Sequence, residues 1–111
     1  MESEIREVKT SHLFDHRDIP AIFFYGKDTF GLKAADKFLE ELFDCVTKLQ
    51  TQYHLHPECR HLETKTKMYR NIIFGSYLII YRIRSKKIEV LRAFHGSRSP
   101  KEIKKVRKIT T

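Results

Sequence analysis

Two clusters of residues have the types and spacing to do chemistry. The first closes the last apolar run, where His95, Gly96, Ser97 and Arg98 follow Arg92 in "EVLRAFHGSR". An imidazole that can accept or return a proton, beside two guanidinium groups that can hold a phosphate, is a candidate set for acid–base work on an anionic substrate. The plainer reading of His95 is a strand-end side chain held by hydrogen bonds. The second cluster is "HLHPECRH", in which His54, His56, Cys59 and His61 put four ligand types into eight residues. Its H-x-H-P-x-C-x-H pattern is not a regular zinc spacing, so neither a metal nor another cofactor is expected.

Arginines also stand inside runs that otherwise look like core. Arg70, Arg82 and Arg92 lie in "MYRNIIF", "YLIIYRI" and "IEVLRAFH", three runs with strand character over Met68 to Phe74, Tyr77 to Ile83 and Ile88 to His95. Gly75-Ser76 is a two-residue link with glycine first, as a type II′ hairpin turn prefers, and "RSKK" makes a second, looser turn. These turns set a register of Phe74 with Tyr77, Arg70 with Tyr81, Ile83 with Ile88, Arg82 with Glu89 and Ile79 with Arg92. Side chains alternate across a strand. Leu78, Ile80, Arg82, Glu89, Leu91, Ala93 and His95 are therefore expected on one face, and Arg70, Tyr77, Ile79, Tyr81, Val90, Arg92 and Phe94 on the other. Arg82 then faces Glu89 as a cross-strand ion pair. Arg70 and Arg92 have no acidic neighbour on the strands and flank Tyr81 and Ile79. Two unpaired guanidinium groups cannot be sealed in a dry core. Either that face opens as a basic, aromatic-lined hollow for an anion, or carboxylates from elsewhere meet it.

The elements that must position these strands lie upstream. "SEIREVK" alternates weakly around Ile5 and Val8 and reads as a short edge strand. Asp18 is a candidate N-cap, with Pro20 in the first turn, for a helix to about Lys27 that "GKDTFG" breaks. From Leu32 to about Tyr53, apolar residues at 32, 35, 38, 39, 42, 43, 46, 49 and 53 recur at helical spacing. Two helices with one apolar side need a sheet to cover. His54 to Lys67 is a polar loop. After Pro100 the chain ends in a basic tail with room for one helical turn. The expected organisation is one α+β domain over residues 1–98, in β-α-α-β-β-β order, and a tail over 99–111.

Composition narrows the class. The 111 residues are 41% apolar and 32% charged, with net charge +8. Residues 1–59 carry seven Lys/Arg against eleven Asp/Glu, net −4, whereas residues 60–111 carry fifteen against three, net +12. Such one-sidedness favours an acidic partner, either nucleic acid or an acidic protein segment. The apolar runs are too short for a membrane span, Met1 to Lys9 has no signal-peptide character, and Cys45 and Cys59 do not make a disulfide framework. A cytoplasmic protein without a membrane role is expected.

The strand segments carry a family likeness. "R-x-x-x-F-G-S-Y-L-I-I-Y-R-I" followed by "I-E-V-L-R-A-F-H-G-S-R", with "AADKFLEELFD" upstream, resembles the ParE branch of the RelE/ParE toxin superfamily over roughly Ile19 to Arg98. The resemblance implies a helical hairpin packed on a twisted antiparallel sheet. It also implies the toxin of a type II toxin–antitoxin, or plasmid stabilisation, system. RelE-like members are ribosome-dependent mRNA endonucleases. In that branch an Arg usually stands four residues before the first Tyr of Y-x-x-x-Y, where this chain has Ile73. A catalytic Tyr often stands where this chain has Lys104, although Arg98 does match an Arg. Arg70 is placed as in ParE-like members, which are regarded as inhibitors that bind DNA gyrase and do not cut. The resemblance thus implies a binder of gyrase, neutralised by an antitoxin with an acidic amphipathic C-terminal segment, as a dimer or a hetero-oligomer with that antitoxin. The expected contact residues for target or antitoxin are Arg70, Tyr81, Arg92, His95, Arg98, Lys101, Lys104, Lys105 and Arg107. The alternatives are an mRNA interferase built on His95 and Arg98, and a basic nucleic-acid-binding domain.

Overall fold

In the computed structural model, which describes residues 4–96 and 99–111, a four-stranded sheet separates two cores. Its strands are β1 (Glu7–Thr10), β2 (Tyr69–Phe74), β3 (Tyr77–Ile83) and β4 (Lys87–His95), in spatial order β1-β4-β3-β2. On one face lie α1 (Ile19–Phe30), α2 (Leu32–Thr47) and the short α3 (Leu49–Gln52). The expected α+β class and element order are present. One strand departs from a wholly antiparallel sheet, because β1 pairs in parallel with Lys87 to Val90 of β4. The entire helical hairpin and two strands separate β1 from β4 in sequence, so the chain can re-enter beside it in either direction.

The helical start also differs from expectation. Helical backbone begins at His12, with Phe14–Asp18 as a π-helical turn running into α1. Ser11 is the cap, since its Oγ accepts from the Phe14 N–H at 3.0 Å, while Asp18 makes no capping bond. Pro20 consequently lies inside a continuous helix. It has no N–H and its ring crowds the preceding turn, and the wider π turn just before it provides the room. The helix runs through "GKDTF" and stops only at Gly31, whose φ of 95° suits glycine. On α2, Ala35, Leu42 and Val46 are buried as expected, but Leu32 and Phe43 of the same stripe stay 54% and 44% exposed.

The β2–β3 pairing matches the expected register throughout, and Gly75 alone takes positive φ in the turn, as type II′ requires. Between β3 and β4 the expectation holds from Ile83 with Ile88 through Arg82 with Glu89 to Tyr81 with Val90 and then fails. Tyr81 pairs with Val90 and Ile80 with Arg92, which leaves Leu91 as a bulge residue, and Ile79 meets Ala93 instead of Arg92. One extra residue inverts every side chain after it. Ala93 joins Ile72, Ile79, Tyr81, Ile88 and Val90 in the core beneath the helices, while Phe94 turns to the opposite face.

That opposite face carries a second core, which the C-terminal tail completes. Ser99 caps α4 (Pro100–Lys104), and a 3-10 turn follows at Lys105–Lys108. Ile103 and Val106 are buried there against Tyr69, Ile80, Leu91 and Phe94, with Cys59 and Leu62 from the long loop. Cys59, read as a polar-loop residue, is thus 2% exposed, and burial pushes its thiol pKa up. His54 and His56 instead pack on Tyr53 and Tyr81 at the helix side, so "HLHPECRH" is divided between two cores.

Arg82 and Glu89 form the expected pair, but in the interior. They are 2% and 3% exposed, with Nε to Oε1 at 2.6 Å. Arg82 also donates to the Tyr69 hydroxyl and the Ile109 carbonyl, and Glu89 accepts from Arg84 and the Thr111 hydroxyl. Burial alone would raise the Glu89 pKa, but these donors outweigh it and hold the carboxyl at about 2. Between its ordinary 4.5 and about 2, the unfolded chain binds a proton that the folded chain refuses, so stability present above that window is lost as pH falls through it. Glu89→Gln should flatten this acid limb in urea melts, and at pH 7 it should cost about 3–5 kcal/mol by leaving Arg82 buried without its counter-charge. Parallel acid limbs for the two proteins would refute the assignment.

Candidate binding site

The expected contact residues divide sharply once placed. Arg70 is committed to the long loop, with Nε donating to Lys67 O at 2.7 Å and Nη1 to His56 O at 2.9 Å and His54 O at 3.3 Å. Among the described residues three carbonyls, and no carboxylate, hold the guanidinium. Tyr81 is fully buried, donates its hydroxyl to Tyr53 O at 2.6 Å, and has its phenol pKa pushed up by burial. It cannot touch a partner, which corrects its place among contact residues. Arg98 lies outside the described residues.

Arg92 meets the carboxylate that the strands alone did not supply. Its Nε and Nη2 each lie 2.9 Å from the two oxygens of Asp18, while its guanidinium stacks 4.5 Å above the Phe94 ring. The same Asp18 carboxylate accepts the Ala93 N–H at 2.8 Å. The cause is a mismatch in strand length. β1 ends at Thr10 opposite Val90, and beyond that point the outer edge of β4 needs other partners. Ser11 supplies two, its N–H to Val90 O at 2.9 Å and its Oγ to Leu91 O at 2.6 Å, and Asp18 supplies the third. The residue taken for a helix cap is a bidentate clamp on the sheet.

His95 is exposed at the end of β4, between two tyrosines. Its ring stacks on Tyr77 at 4.8 Å and 26°, and meets Tyr25 of α1 at 4.6 Å. These rings, with Arg17, Asp18 and Arg92, border a cleft of about 290 Å³ between α1 and β4. A second cleft of about 290 Å³ shares Tyr25, Tyr77 and His95, and continues between the helices and the β2–β3 turn along Phe30, Ala34 and Phe38. The outer helix surface there is apolar, with Phe24, Phe30 and Leu32 57%, 70% and 54% exposed. On the tail, Lys101, Lys104, Lys105 and Arg107 are all exposed. Lys105 pairs with Glu102 at 3.2 Å, and Arg107 donates to Glu63 O at 3.4 Å. Among the described residues, no group of three or more His, Cys, Asp or Glu could hold a metal ion.

This arrangement has recognisable relatives. A model of the ParE toxin of type II toxin–antitoxin systems, parDE, matches residues 16–100. The chain belongs to the ParE toxin family. A solved structure titled as the chromosomal ParDE toxin–antitoxin system of P. aeruginosa shares the fold, with a TM-score of 0.69 and 20% identity over 86% of this chain and 100% of that one. No curated protein matches the sequence. The family match runs from within the π turn through the helical hairpin and strands β2 to β4, and so includes every residue lining the cleft.

Reading the sequence without the structure missed Asp18 as a clamp, and Arg17, Tyr25 and Tyr77 as lining residues. One signal was present: Asp18, Ile22 and Tyr25 fall at i, i+4 and i+7, on one helical face. Asp18→Ala removes the counter-charge of Arg92 and orphans the Ala93 N–H together. It should lower the unfolding free energy by about 3–5 kcal/mol, and Asp18→Asn, whose amide oxygen can still accept from Ala93, by less. Guanidinium-chloride melts check both, and an Asp18→Ala protein within about 0.5 kcal/mol of wild type would contradict the clamp.

Proposed function

We propose that this ParE-family chain inhibits growth in the cytoplasm by binding DNA gyrase, and that an antitoxin with an acidic amphipathic segment neutralises it. Membership of the ParE family carries this reading. The cations and ring of the strands are in keeping with it: Arg70, Tyr81 and Arg92 are each engaged inside the fold, and of the acid–base candidates His95 stands exposed between Tyr25 and Tyr77. Ile73, which stands where RelE-like toxins place an arginine, is 78% exposed and apolar.

The proposed contact surface follows from what stays exposed. Lys101, Lys104, Lys105 and Arg107 are exposed cations, and His95 with the apolar rim of Phe24, Phe30 and Leu32 lies across the molecule's other side. An acidic amphipathic segment complements both features, with carboxylates for the tail and apolar side chains for the rim, and can fold as it binds. No helix among the described residues is long and apolar enough to cross a membrane.

Purified protein should inhibit supercoiling of relaxed plasmid by gyrase and leave mRNA on translating ribosomes intact. Cleaved mRNA with unaffected supercoiling would overturn the gyrase reading. Reversing charge at Lys101, Lys104 and Arg107 together should weaken binding of target or antitoxin by at least about ten-fold with little change in melting temperature. Arg92 is unsuitable for this test, since its reversal would set a second carboxylate against Asp18.

A further inference from the structure

The cleft between α1 and the end of β4 holds a cation that the fold does not use. Arg17 is exposed on its rim and, among the described residues, has no hydrogen-bond or ion-pair partner. The second guanidinium in the cleft, Arg92, is already neutralised by Asp18, so one positive charge is left over. Beside it the wall is aromatic. Tyr77 and Tyr25 flank His95, and Tyr25 is 46% exposed, leaving ring surface open to solvent. Burial, and then the neighbouring Tyr25, push the Tyr77 phenol pKa up, so its hydroxyl stays protonated as a donor.

We propose that this cleft binds one nucleotide unit of a single-stranded nucleic acid, with the phosphate on Arg17 and the base against Tyr25 and His95. The geometry fits in three respects. A volume of about 290 Å³ lies at the lower end, roughly 300 Å³, of sites for small ligands. Arginine and neutral hydroxyls are phosphate donors. Stacking on exposed rings is how single-stranded bases are held without sequence preference. The site stands apart from the gyrase reading, because it is a property of the isolated chain and its test contains no gyrase.

Titration of the full chain with 5′-AMP, followed by amide and aromatic NMR shifts, should perturb Arg17, Tyr25 and His95 and leave the tail unmoved. Tyr25→Ala should weaken the binding about five- to 100-fold, the range of one base stacked on one ring. For a fluorescein-labelled single-stranded pentanucleotide, Arg17→Ala should reduce the slope of log affinity against log salt by about 0.7, the value for one phosphate contact on a single strand. Lys86→Ala, an exposed cation far from the cleft, should leave 5′-AMP binding unchanged, and circular dichroism melts confirm that each variant is folded. Equal binding of inorganic phosphate and 5′-AMP would overturn the proposal by removing the base from it. So would equal losses in Arg17→Ala and Lys86→Ala, or a glutamate-rich hexapeptide that occupies the cleft while 5′-AMP does not.

Discussion

Much of this molecule depends on an edge that one strand leaves uncovered. β4 runs nine residues from Lys87 to His95, but β1 accompanies only the first four. Past Val90, backbone groups on the outer side of β4 would face the protein without partners, at a cost of order 1–3 kcal/mol each. Ser11 and Asp18 resolve this in succession, one at the start of the helical segment and the other two turns on. The helix is thereby attached along β4 by hydrogen bonds as well as by apolar packing. The direction of α1, and with it the placement of Arg17 and Tyr25 beside His95, follows from that attachment.

The bulge at Leu91 acts with this edge. Without it, Ala93 would face the tail and Phe94 the helices; with it, the small residue lies under α1 and the large ring under the tail. A small residue at 93 lets the Asp18 carboxylate approach the backbone. The large one at 94 fills the second core and gives the Arg92 guanidinium a face to stack on. The tail then closes that core through Ile103 and Val106, and its last residues reach the Arg82–Glu89 pair through Ile109 O and the Thr111 hydroxyl. A buried ion pair is tolerated only when its remaining donors and acceptors are met. Here part of that satisfaction comes from the end of the chain, so the tail belongs to the folded unit electrostatically as well as by packing.

What could be read from the sequence follows the reach of each physical rule. The β2–β3 register was legible because Gly75-Ser76 sets it locally, and every pair agrees. The β3–β4 register was legible only as far as Val90, because a bulge leaves no residue signature at Leu91: any apolar side chain suits it. Asp18 was misread since cap statistics describe the ends of helices, and a π turn ahead of Pro20 moved the true end to Ser11. The tail read as little more than a basic extension because its apolar residues, Ile103, Val106 and Ile109, are spaced by three among five cations. That period suits a short 3-10-like wrap better than a long amphipathic helix. For the candidate site, His95 and the tail cations were suggested by residue type alone, while Arg17, Tyr25 and Tyr77 required knowing which helix face meets which strand end.

The arginines that interrupt the apolar strands can now be sorted by what surrounds them. Arg82 answers Glu89 across the sheet, Arg92 answers Asp18 across the edge, and Arg70 answers three carbonyls of the long loop. Each is a guanidinium with planar, multiple donors, and each position uses two or more of them, which an ammonium on a flexible stem would not do as well. The sheet's cations therefore serve cohesion. Charge exposed to an outside partner lies instead at Arg17 and along α4 with the turn after it, where among the described residues Lys105 alone has a carboxylate partner, Glu102. For a protein of net charge +8, recognition of an anion rests less on how many cations there are than on which of them the fold has left without work.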